Sequence, residues 1–256
     1  MKRVFLVLFV LQLLICPSLF AQIAKIIDTK GDVSVKKESS FPWEKAKPDM
    51  YLADKAEIRT GSDSECTLSF DEELDNILTI KGDSHIKIED IKKGRVFLPK
   101  GRVFTLIEDL AKLQDFQIRT PTAVAGVRGT GEEVKVNGDT TVKCFEGKAY
   151  AQGIDKSGKK TNKKNIPKGF GIVAFLGGAL GDLFGLRDQD WFDWQEFREL
   201  VRELRWPGSG RGRKEPLKEL EDEGKEDHKE DDFEREYYRK GGGGSSFTIE
   251  SFSTSP

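Results

Sequence analysis

The chain has 256 residues, with 42 Lys and Arg against 44 Asp and Glu and a net charge of −2 at pH 7. That balance gives no general electrostatic attraction to nucleic acid, so no nucleic-acid partner is expected. Once a leader is set aside, the length suits one all-β domain of moderate size plus a tail.

Residues 1–21 open with Lys2 and Arg3, run through apolar residues 4–15 and close on Pro-Ser-Leu-Phe-Ala. This is the plan of a secretory signal peptide cleaved after Ala21, which predicts an exported protein, periplasmic or extracellular. The apolar run is shorter than a membrane-spanning helix needs, so an uncleaved anchor is the lesser reading. Cys16 raises lipidation, but Ile15 is not the small residue that should precede a lipidated cysteine.

From residue 22 onward, short β-type runs follow one another at 24–27, 32–36, 57–59, 66–70, 77–80, 85–88, 95–98, 116–119, 133–136 and 140–145. Gly, Asp, Asn or Pro punctuates nearly every gap. Only 106–113 offers a helical alternative within this part. Strands such as 77–80 and 86–88 have one face to bury and one to solvate, which leaves a sandwich, a barrel or a solenoid-like β-roll. Glycines at 31, 61, 82, 94, 101, 129, 138 and 147 read as turn positions. The run Gly126 to Gly131 has the look of a phosphate loop but enters a strand, not a helix, so no nucleotide is expected.

One unit occurs twice: Ile58-Arg59-Thr60-Gly61 and Ile118-Arg119-Thr120-Pro121, with Val127-Arg128-Gly129-Thr130 as a variant. Guanidinium groups beside Thr hydroxyls either tie neighbouring coils together or hold a partner's carboxylate. Arg59, Thr60, Arg119, Thr120, Arg128 and Thr130 are therefore candidates for coil-tying or partner binding. Trp43, after Pro42, is a candidate aromatic contact or the closure of a β core. By alternation Cys66 and Cys144 both point inward, where they either form a disulfide or stand as two buried thiols.

The ordered set of these signals resembles the FecR domain family. It includes Gly31-Asp-Val33-Ser-Val35, Trp43 with Ala46, Ala56-Glu-Ile58-Arg59-Thr60-Gly61, Leu68-Ser-Phe70, Gly94-Arg-Val96, Phe116 to Ala123, Val127 to Thr130, Glu146-Gly147-Lys-Ala149 and Ile166-Pro167-Lys-Gly169. The resemblance covers residues 24–173. It implies a twisted, solenoid-like β-roll in an extracytoplasmic domain with an interaction role. With nothing ahead of the signal segment, no cytoplasmic domain to hold a sigma factor is expected.

Beyond the β part, 172–186 is apolar and glycine-rich but too short, with Asp182, to span a membrane. Residues 190–206 form an amphipathic helix, with Asp190 as its cap and Trp191, Trp194, Val201 and Leu204 on its apolar face. This face packs back on the β domain, docks on a partner or lies in a membrane interface, where Trp191 and Trp194 would be aromatic contacts. Residues 207–240 are charged, with acids in excess, and read as disordered, followed by a glycine joint and a loose end to residue 256. The predicted organisation is thus 1–21 signal, 22–173 FecR-like β domain, 174–206 glycine-rich segment and helix, and 207–256 tail.

His85 and His228 are the only histidines, and no Ser-His-Asp set, HExxH helix or CxxC pair is present. No catalysis is expected. The acidic run Asp71 to Asn76 lacks the spacing of a calcium loop and reads as a hairpin turn, so no metal and no cofactor is expected. The functional expectation is a non-catalytic envelope protein that binds another protein, in sensing or signalling. A glycan- or cell-wall-binding module, or a structural spacer of an envelope assembly, stands as the alternative.

Overall fold

The computed structural model describes residues 24–38, 40–109, 113 and 115–207, without the side chains of Arg128 and Thr130. The signal segment and the tail from 208 onward lie outside the described residues, as do 110–112 within the helical alternative. In chain order the strands are β1 (Ala24–Lys30), β2 (Val33–Lys36), β3 (Glu44–Lys45), β4 (Tyr51–Leu52), β5 (Glu57–Thr60), β6 (Glu65–Ser69) and β7 (Asn76–Ile80). Then follow β8 (His85–Asp90), β9 (Arg95–Ile107), β10 (Gln117–Arg119), β11 (Ala123–Asn137), β12 (Asp139–Ile154), β13 (Lys160–Pro167), β14 (Phe170–Ala174) and β15 (Phe184–Gly185). One helix, α1 (Asp188–Arg205), closes the described part.

All strands belong to one sheet that folds over into two layers. The first layer runs β3-β2-β5-β8, then the beginnings of β9, β10 and β11, the end of β12, and β13. The second runs β4-β1-β6-β7, then the ends of β9 and β11, the start of β12, β14 and β15. Every pairing except β9 with β10 is antiparallel. The all-β expectation is met, but the roll is made of antiparallel ladders, not of stacked parallel coils. Three strands of 13, 15 and 16 residues pass from one layer to the other.

Their bends have local causes. In β9 the turn comes at Gly101, whose φ of 103° favours glycine and whose missing Cβ leaves room for Ser84. Ser84 Oγ accepts the Arg102 N–H at 2.9 Å and pins the bend. In β11 the pairing with β12 slips between Arg128 and Gly131, with Gly129 at φ 61°. The glycine-rich run is therefore the bulged middle of a single long strand. Helix formation over 106–113 is not realised at its start, since Leu106 and Ile107 end β9.

Alternation puts one side chain in two between the layers. Val35, Ile58, Ile86 and Ile118 of the first layer meet Ile26, Leu68, Leu78 and Val142 of the second in one continuous core. Each such side chain contributes roughly 1.5–3 kcal/mol when removed from water. Cys66 and Cys144 belong to this core as free buried thiols, so the disulfide alternative is not realised. Burial pushes both thiols up to about 12, with Asp28 adding to it at Cys66 and Glu132 at Cys144.

The outer face of the second layer is also apolar, and α1 covers it. Trp194 stacks on Phe145 with ring centroids 4.8 Å apart, and Phe197 stacks on Phe104 at 5.4 Å. Val201, Ile77 and Leu106 complete this second core. A Cβ at Gly131 would collide with the Trp194 ring, so that glycine is what lets the helix approach. The helix starts two residues earlier than expected. Asp190 stands in its first turn and accepts the backbone N–H of the capping residue Arg187 at 2.9 Å. Helix α1 belongs to the same compact unit as the sheet.

Candidate functional site

The two outer faces of the roll differ in kind. The second layer's face is sealed by α1, and beneath the first turns of that helix lies a charged cluster. Glu133 of β11, buried, accepts Arg102 Nε at 2.9 Å and Lys143 Nζ at 3.1 Å. The helix adds Asp190 to Lys143 at 2.9 Å and Asp193 to Arg102 at 2.6 Å. Burial opposes ionisation of Asp190, but the Arg187 N–H and the Lys143 ammonium outweigh it and hold the carboxyl at about 2. Every member has an opposite partner, as a buried ionic cluster requires. It is a clamp for the helix.

Among the described residues no helix covers the first layer's outer face, and both repeated Arg-Thr units lie on it in the same way. Ile58 and Ile118 point into the core. Thr60 and Thr120, next along, turn inward and are buried. Thr60 Oγ1 donates to the Lys81 carbonyl at 2.7 Å and accepts the Ser84 N–H at 3.0 Å. Thr120 Oγ1 accepts the Ala123 N–H at 2.9 Å and bonds Thr140 Oγ1 at 2.7 Å. The two threonines tie corners of the roll.

The arginines between them point outward and stack on rings. The Arg59 guanidinium lies 4.1 Å from the Trp43 ring centre, and Arg119 lies 4.2 Å from that of Phe97. Arg119 also holds Glu89 through Nε and Nη2. A third pair, Lys163 over Tyr150 at 3.5 Å, continues the series at the β13 edge. Tyr150 lies flat over Gly126, where a Cβ would occupy the ring's space, and its hydroxyl accepts Gln117 Nε2 at 3.0 Å. His85 pairs with Glu57 at 3.0 Å and meets Trp43 edge-on.

The structure thus brings Arg59, Arg119 and Trp43 onto one face and places Thr60 and Thr120 beneath it as ties. Arg128 and Thr130 stand at the β11 bulge, and their side chains lie outside the description. Trp194 is 3% exposed and Trp191 packs edge-on against Phe145, so both belong to the helix contact and not to the open face. Trp43 neither closes the core nor stands free. Sequence reasoning missed Lys87, Phe97, Tyr150 and Lys163. Lys87 and Phe97 alternate out of phase with core residues, and Tyr150 stands opposite in phase to Ala149 and Ala151, which is the signal that finds them. The Asp71–Asp75 segment is the turn joining β6 to β7, where Asp71 Oδ1 accepts the Asp75 N–H at 2.9 Å.

These strands define a two-layer antiparallel β protein with one helix-covered face. Residues 56–150, from the residue before β5 into β12, match the family described as FecR protein, and this stretch is a FecR-like domain. Among curated proteins none matches it. Two crystal structures named for a candidate anti-sigma factor from Parabacteroides distasonis ATCC 8503, at 1.65 and 2.50 Å resolution, are similar with TM-scores of 0.43 and 0.42. Sequence identity is 14% in both, each comparison covers 54% of this chain, and the chain spans 64% and 63% of theirs.

Proposed function

We propose that this FecR-like chain is an exported, non-catalytic binding module of the cell envelope that recognises another protein through the outer face of its first layer. The observation that carries the reading is the contrast between the two outer faces. One is filled by α1 and clamped by ions, while the other displays two repeated arginines whose neighbouring threonines hold the surface rigid. Binding surfaces built on a rigid sheet keep side chains such as Arg59 and Arg119 preorganised, which lowers the entropy lost on association. Arginine stacked on an aromatic ring is also the side-chain type that dominates protein contacts. Export rests on the Lys2-Arg3 start and apolar run of residues 1–21. The absence from the sequence of the common hydrolase, metalloprotease and redox constellations supports the non-catalytic part.

The glycan alternative needs an open aromatic plate. Trp191 and Trp194 are engaged under the helix, and the Arg59 guanidinium covers Trp43, so neutral sugar stacking is the weaker reading. The test is affinity capture from an envelope fraction with the mature chain and an Arg59→Glu/Arg119→Glu variant, alongside pull-down on peptidoglycan. A stoichiometric protein held by the wild type and released by the variant supports the proposal. Retention on peptidoglycan that is lost in Trp43→Ala would replace it with the glycan reading.

A further inference from the structure

Cross-strand registers connect one outward row through eight strands of the first layer. It runs Lys36, Glu57, Lys87, Phe97, Arg119, Val124, Gln152 and Lys163, of which Val124 is buried. At about 4.8 Å between strands the row is about 34 Å long. Flanking it are Arg59 and Lys45 on one side and Arg95 on the other. Among the described residues, Lys36, Arg59, Lys87 and Lys163 form no ion pair, while Arg95 stands opposite Asp90 and helps to lower its carboxyl. The face is cationic on a chain whose net charge is −2.

We infer that this row is the docking track of an extended acidic segment of a partner protein, laid across the strands with its carboxylates meeting Lys87, Arg119 and Lys163. The inference rests on the reading of the face as a protein-binding surface and adds the chemistry of what binds. Three features select this occupant. Cations sit on the aromatic rings, so the rings are not available as plates for a neutral ligand. Glu57 and Glu89 stand among the cations, and a continuous polyanion or anionic bilayer would meet repulsion at both. A peptide with spaced acids avoids them. Lys87 and Arg119 are two strands apart and Arg119 and Lys163 three, or about 10 and 14 Å, so acids every third or fourth residue of an extended chain match the track.

The test uses the mature chain and a fluorescent twelve-residue peptide of four Glu-Gly-Ser repeats, compared with the same residues arranged as a block of four glutamates. A heparin fragment and phosphatidylglycerol vesicles are the other two probes. The spaced peptide is expected to bind more tightly than the block peptide, and at least tenfold more weakly to Arg119→Glu/Lys163→Glu than to wild type. Lys135→Glu, on the second layer, should leave binding unchanged. Circular dichroism and melting temperature confirm that each variant is folded, and Lys87→Glu provides a second row variant. Absence of binding at low salt, equal binding by the row variants, or tighter row-dependent binding of heparin or vesicles would each overturn the inference. If an envelope protein is captured through Arg59 and Arg119 while the spaced peptide fails, the acidic-segment inference falls and the protein-binding reading stands.

Discussion

At the scale of single residues, the least expected group is Glu132. It faces the core on β11, opposite Thr105 of β9 and Cys144 of β12. Neither its oxygens nor the Thr105 hydroxyl has a hydrogen-bond partner. Burial pushes its carboxyl up to about 8, so at neutral pH the folded chain carries it protonated. The folded state therefore holds a proton that the unfolded chain, titrating near 4.5, releases. The stability this permits is complete below about pH 4.5 and is lost as pH rises through 8, at up to about 1.4 kcal/mol per pH unit. Urea unfolding of the wild type between pH 5 and 8 should show a falling midpoint, and Glu132→Leu should flatten the trend and be the more stable protein at pH 8. A wild-type midpoint that does not move with pH would remove this account. Nothing in the sequence marked Glu132, because Glu132 and Glu133 look alike there. Only the register shows that one is in the core and the other in a salt cluster.

The Arg-Thr repeats were legible for a different reason. Their alternation assigns Ile inward, Arg outward and Thr inward without a structure, although the ring beneath each arginine comes from elsewhere in the chain, Trp43 ahead of β3 and Phe97 on β9. Thr120→Val should cost about 1–3 kcal/mol in chemical denaturation, since it leaves the Ala123 N–H and the Thr140 hydroxyl without that partner. Arg119→Ala, at an exposed site, should cost under about 1 kcal/mol. Equal losses in the two would mean that the arginine is also a tie.

At the scale of elements, α1 is joined to the sheet by ring packing and by charge. Trp194→Ala removes the ring stacked on Phe145 and should lower stability by roughly 3–5 kcal/mol. Acid should loosen the helix by a separate route. The Asp190 carboxyl is held at about 2, and that of Asp193 is also lowered despite its burial, through Arg102 and Gln189. Both folded values lie below the ordinary 3.8, so their contribution is present above about pH 4 and is lost as pH falls towards 2. Tryptophan fluorescence should report a transition in that window in the wild type, and Asp190→Asn should shift it upward in pH. The helix itself was readable from its three- and four-residue spacing, but its docking site was not. Phe104 and Phe145 lie on strands whose two faces are both apolar, and periodicity cannot show which face another element covers. Strands β13 and β14 were missed because a lysine-rich run and a glycine-interrupted one do not alternate.

At the scale of the whole molecule, the fold has two cores in series, one between the layers and one beneath α1, and only the second can be removed by cutting the chain. A chain ending at Pro207 keeps every contact described for the roll and should melt within a few degrees of the full chain. A chain ending at Leu186 exposes Phe104, Phe145 and Leu106 and leaves Glu133, Lys143 and Arg102 without Asp190 and Asp193. That exposed apolar patch should bind a hydrophobic dye and drive self-association in size-exclusion chromatography. Loss of a partner on deletion of 187–207 would then report a damaged sheet, whereas its loss on deletion of 208–256, with the melting temperature kept, would place recognition beyond the roll. The face variants at Arg59 and Arg119 lie across the sheet from the helix, so a partner released by them and kept by the Pro207 chain is bound by the first layer.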